Sequence, residues 1–201
     1  MLSRRTVLWV LAAASGGVVA ATLLTPASIE IRSGTPLPRP RPVAAFELID
    51  QHGHALTREV FAGRWSLVFT GFTSCPDICP TTLALLAALA ERLRQRGGDL
   101  QTLFVSVDPE RDTPEVLAPY VGHFDERMIG VTGTQARIDG FCEGLGLAHV
   151  RNPGPGGAYT VDHSAALVLI DPRARVVAYF QPPYELGALV ADLSPLVGRA
   201  R

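Results

Sequence analysis

Lysine is absent. All 18 basic residues are arginine, which excludes a lysine Schiff base, a P-loop lysine and a kinase lysine, since each needs an ε-amine. Net charge is equally sparse: 18 basic and 19 acidic side chains leave a formal −1. That balance excludes a strongly basic nucleic-acid binder and an acidic disordered tail. Cysteine is scarce too, with three in 201 residues, too few for a disulfide-stapled small fold. Apolar residues, by contrast, make up 47% of the chain. The length suits one domain with an extension and is ample for a real core.

The longest apolar run comes first. From Thr6 to Ile29 no residue is charged, and Val7–Leu24 is mostly apolar behind Arg4 and Arg5. A helix of about 20 apolar residues crosses a bilayer, and the paired arginines predict a cytoplasmic start with everything after it exported. The competing reading is a signal peptide cut near Ala21 or Ala27. Its apolar core would usually span only about 7–15 residues, so an uncleaved anchor over residues 1–29 is preferred. No cysteine precedes Cys75, which excludes a lipoprotein. Ser3–Leu8 resembles a twin-arginine export signal, although paired arginines are also the ordinary flank of any export segment. The expected location is the inner membrane, with a single N-terminal span and the soluble domain in the periplasm. Residues 30–43 carry Pro36, Pro38, Pro40 and Pro42 at alternate positions. Such a run predicts an extended linker of about 3.1 Å per residue, holding the folded part off the membrane.

The folded domain is expected over residues 44–201. Phe46–Ile49 reads as a short strand entering the turn Asp50–Gly53. Trp65–Phe72 is near-continuously apolar, the pattern of a strand buried on both faces, and Leu103–Val107 is a second. Pro80–Arg96 sets Leu86, Leu89, Ala90 and Leu93 on one helical face before Gly97 and Gly98 stop it. Pro114 occupies a favourable first helical position and opens a helix to about Phe124. Ile129–Thr132 predicts a short strand and Gln135–Leu145 a helix. After a Gly/Pro loop over 152–157, Ala165–Ile170 and Val176–Phe180 read as a hairpin, and Glu185–Val197 as a closing amphipathic helix. Strand–helix alternation ending in a hairpin and a helix predicts an α/β sandwich, a mixed central sheet flanked by helices.

Chemistry concentrates in Gly71–Pro80, GFTSCPDICP. Cys75 and Cys79 fall where a buried strand ends and a helix begins, the usual place for sites in open α/β sheets. A helix N-terminus predicts lowered thiol pKa. Residues four apart share a helical face with Cβ atoms about 5–6 Å apart, close enough for a disulfide or for joint grip on one metal ion. Two thiolates invite a third ligand from His52, His54, His123, His149, His163 and Cys142. His163 stands out at a junction between the Gly/Pro loop and a buried strand, from which it can reach a neighbouring loop. Two soft thiolates and an imidazole suit copper, with zinc as competitor. His52 and His54 read as solvated turn residues, His123 and His149 as surface, and Cys142 as core packing.

GFTSCPDICP, together with Ser106–Pro114 (SVDPERDTP) and Val161–Ser164 (VDHS), resembles the Sco/SenC family in three motifs in order. The resemblance spans about Ala44 to Leu196; Ser74 departs from it, where many members have His. It implies a thioredoxin-like fold and a membrane-tethered protein that helps assemble cytochrome c oxidase. It also implies one copper ion held by Cys75, Cys79 and His163. The implied partners are the copper-site subunit of the oxidase and a thiol reductant or upstream copper donor; no nucleic acid is implied. Within that frame a metallochaperone is expected rather than an enzyme. The alternative is a thiol–disulfide oxidoreductase working through a redox-active Cys75–Cys79 pair, and a third reading is a tethered copper sensor without transfer. Against a general thioredoxin role, the spacing is C-x3-C rather than C-x-x-C. Against a peroxidase, Phe72 rather than Thr stands three residues before Cys75.

Overall fold

The computed structural model describes residues 30–198. At the centre of its sheet lies β4 (Trp65–Gly71), all seven residues buried. It pairs in parallel with β5 (Leu100–Ser106), and β5 with β6 (Ile129–Thr132). On its other side β4 pairs antiparallel with β9 (Leu167–Ile170), which pairs with β10 (Arg175–Phe180). β1 (Thr35–Pro42) lines one edge, and β2 (Glu47–Asp50) with β3 (Ala55–Thr57) the other. The order is β1-β10-β9-β4-β5-β6-β2-β3.

Helices α1 (Ile78–Arg94), α2 (Pro114–Phe124) and α3 (Gln135–Leu145) follow β4, β5 and β6, and α4 (Leu186–Val197) closes the chain. Alternation along β4 feeds two cores. Leu67 and Phe69 pack with Leu86 and Leu89 of α1 and Leu193 of α4. Val68 packs with Ile138, Phe141 and Leu145 of α3 on the opposite face. The mixed, helix-flanked sheet expected from the sequence is therefore the one observed.

The proline-rich segment corrects an expectation. Residues 30–43 are not a free linker: Ile31 and Val43 are buried, and β1 pairs antiparallel with β10. The physical reason is position. Proline lacks an N–H and is tolerated in sheets at an edge or a bulge, and here the register shifts between Pro36 and Arg41. Asp192 of α4 fastens the entry, accepting bonds from the Arg32 amide (3.0 Å), the Ser33 amide (2.8 Å) and the Ser33 hydroxyl (2.6 Å). The folded unit thus includes residues 30–43 and does not begin at 44.

A second correction lies around the Gly/Pro loop expected over residues 152–157. β7 (His149–Pro153) and β8 (Tyr159–His163) form an antiparallel ribbon separate from the main sheet. Among the described residues no helix is long and apolar enough to cross a membrane. The expected span lies outside the described residues.

Candidate metal centre

β4 ends at Gly71, and the chain turns through residues 72–77 into α1. Cys75 lies on that turn, partly buried, its amide donating to the Phe72 carbonyl at 3.2 Å. Cys79 sits in the first turn of α1 and is fully buried. Its sulfur rests on Gly71, where a Cβ would lie 2.7 Å away. His163 ends β8, 84 residues beyond Cys79, and its Nε2 lies 3.4 Å from Cys79 Sγ. One ligand atom from each of Cys75, Cys79 and His163 falls within 4.8 Å of the others. A metal ion about 2.0–2.3 Å from sulfur and nitrogen donors can touch all three.

The imidazole is oriented for that role. Its Nδ1 lies 3.2 Å from the Ser164 carbonyl; that oxygen only accepts, so Nδ1 carries the proton and Nε2 turns its lone pair to the sulfurs. Phe69 and Phe72 pack edgewise on the ring, with centroids at 5.9 and 6.0 Å. Burial lowers the His163 pKa and favours the neutral ring.

Cys79 departs from the expectation of a lowered thiol pKa. Burial pushes its thiol well above the ordinary range. The helix N-terminus is outweighed by desolvation, because Cys79 lies in the apolar core against Phe69, Leu83 and Phe104. A metal ion binding there must displace the Cys79 proton. The donor set is two sulfurs and one neutral nitrogen, which suits a soft or borderline cation.

The other sequence candidates stay apart. His52 and His54 lie in the exposed β2–β3 turn, their amides bonded to Asp50, and His123 is exposed. Cys142 is buried on the α3 face of the sheet, its pKa pushed up to about 12 by burial. His149, read from sequence as a surface residue, is instead tucked between β7 and α3. Its side chain is only 13% exposed, with Nε2 2.9 Å from Asp139 and 3.2 Å from Gln135. Among the described residues only Cys75, Cys79 and His163 form a group able to hold a metal.

Two carboxylates escaped the sequence reading. Asp112, fully buried, accepts from the Thr73 amide (2.9 Å), the Thr73 hydroxyl (2.5 Å) and the Ser106 hydroxyl (2.5 Å). It thereby fixes the turn leading to Cys75. Asp108, also fully buried, pairs with Arg111 and accepts from the Tyr159 hydroxyl at 2.7 Å. The available signal was two acids four apart, immediately after a buried strand.

The sequence profile described as SCO1/SenC matches residues 35–198. The chain belongs to the SCO1/SenC family. It is 39% identical over 137 residues to the SCO2-like protein of Rickettsia felis, covering 67% of each chain. Its structure resembles copper-bound ScoI of Bradyrhizobium japonicum, with a TM-score of 0.71 and 33% identity, over 77% of this chain and 99% of that one. Apo Sco1 of Thermus thermophilus matches with a TM-score of 0.74 and 35% identity, over 85% and 99%. The SCO1/SenC fold is the thioredoxin-like one anticipated from the motifs, and its copper-bound members fit the Cys-Cys-His group found here.

Proposed function

We propose that this chain is a metallochaperone: it binds one copper ion through Cys75, Cys79 and His163 and delivers it to the dinuclear copper site of cytochrome c oxidase. The observation that carries this reading is His163 Nε2 at 3.4 Å from Cys79 Sγ. A disulfide exchanger needs no imidazole there, whereas a copper ion held by two thiolates gains a third donor. The copper-bound Bradyrhizobium relative supports the choice of metal. The family resemblance supports the oxidase subunit as recipient and a thiol reductant or upstream copper donor as partner. The apolar segment behind Arg4 and Arg5 supports an inner-membrane anchor with the domain in the periplasm.

The test is His163→Ala in cells at limiting copper. The variant is expected to fold, keep its Cys75–Cys79 couple and fail to support copper loading of the oxidase. Full oxidase activity would overturn the chaperone reading. The second reading, a thiol–disulfide oxidoreductase, would then stand; it is favoured by the proximity of the two sulfurs. Both roles share one constraint: oxidation that joins Cys75 to Cys79 removes both thiolate donors, leaving Cys142 free on the opposite face.

A further inference from the structure

His163 is carried by a ribbon outside the main sheet, and a lone two-stranded hairpin is at best marginally stable. What fastens the ribbon to the domain therefore governs where the imidazole sits. Alternate residues of a strand share a face. Along β8, Thr160 and Asp162 are exposed, whereas Tyr159, Val161 and His163 are drawn inward. Val161 is buried in the core. Tyr159 is only partly buried, so packing alone does not account for its hold.

Its contacts do. The Arg111 and Arg151 guanidiniums lie over its ring, 4.0 and 4.2 Å from the centroid. Its hydroxyl donates to buried Asp108 at 2.7 Å. Arg111 is itself paired with Asp108 and reaches over Phe72 at 5.5 Å, the same ring that meets the His163 imidazole at 88°. Arg151 is braced by Glu110 at 3.0 Å. One loop, residues 107–112, thus grips both halves of the metal centre: Asp112 holds the cysteine turn, and Asp108 with Arg111 holds Tyr159.

We propose that Tyr159 is a positioning residue for His163: clasped by Arg111, Arg151 and Asp108, it pins β8 so that the imidazole stays within reach of both sulfurs. The proposal rests on His163 being a copper ligand, and the experiment separates the two claims. Copper(I) affinity is measured on the purified protein by competition with a chromophoric chelator. Nitrogen hyperfine splitting is read in the copper(II) form.

Tyr159→Leu is expected to weaken copper binding about 10–100-fold, as loss of an outer partner of a metal ligand does. It should also reduce the nitrogen splitting, while the reduction potential of the Cys75–Cys79 pair stays put. Tyr159→Phe keeps the ring under both guanidiniums but loses the bond to Asp108, and is expected to fall between the parent and Tyr159→Leu. Arg151→Gln, at an exposed position that leaves the core intact, should shift affinity and splitting in the same direction as Tyr159→Leu. In a His163→Ala background, Tyr159→Leu should cost nothing further, since interacting residues are non-additive. Equal losses with and without His163, or unchanged affinity in both Tyr159→Leu and Arg151→Gln, overturn the positioning role. Undiminished affinity in His163→Ala alone overturns the ligand reading, and the positioning role with it.

Discussion

A methyl group at Gly71 would meet Cys79 Sγ and the Phe104 ring, each at 2.7 Å. Both neighbours are fully buried, and neither sits at the end of a long flexible chain, so neither yields cheaply. Gly71→Ala is therefore expected to destabilise the fold by about 1–3 kcal/mol, as overpacking does. It should also displace the Cys79 sulfur from His163 and weaken copper binding. Thermal melts and copper competition check this; a variant with parental stability and affinity would show that Sγ is not held by the strand end. At this scale much of the site was legible. Cys75 and Cys79 announced themselves by standing between a buried strand and a helix, and His163 by its junction. The state of the Cys79 thiol was not legible, because its desolvation comes from burial in a core assembled by the whole fold, not from its place at the helix start. The roles of Asp108 and Asp112 were hidden for the same reason: their partners, Tyr159 and Thr73, lie 51 and 39 residues away.

Elements were legible where burial imposes a period. β6 and α3 fall on the expected residues, and α4 starts one residue late, because apolar residues recur with the strand or helix repeat. β1 and β7 carry no such pattern, and β8 alternates over only five residues. Most residues of β1 are exposed, and so are half of those in the ribbon's two strands; their pairing is decided by the strands they meet. The Pro-rich strand nonetheless matters energetically. Ile31 and Val43 flank it in the two cores, and Asp192 holds its entry. A fragment beginning at Ala44 loses both side chains, each worth about 1.5–3 kcal/mol when fully buried. It is expected to melt at least about 6 °C below a fragment beginning at Glu30, at about 2–4 °C per kcal/mol for a domain of this size. Equal melting temperatures would return residues 30–43 to the status of a linker.

For the molecule as a whole, the metal centre joins segments that the fold brings together only late in the sequence. Cys75 and Cys79 belong to the β4–α1 turn and His163 to the far end of β8, outside the main sheet. An ion bound to all three is a cross-link across 84 residues, and this three-donor site exists in the folded state alone, the unfolded chain offering copper only its separate thiols and imidazoles. At about 100-fold excess over its dissociation constant a ligand stabilises by about 2.7 kcal/mol, which here corresponds to about 5–10 °C in melting temperature. Copper(I) added under reducing conditions is therefore expected to raise the Tm by that order. It should also slow amide exchange in both β8 and the first turn of α1. His163→Ala leaves two donors on one turn and nothing across the gap. With affinity weaker by about 10–100-fold, its copper-induced shift at the same concentration should fall to about half or less, and exchange should slow at α1 but not in β8. Protection of β8 by copper in the variant, equal to that in the parent, would mean that the ion does not bridge the ribbon to the cysteines.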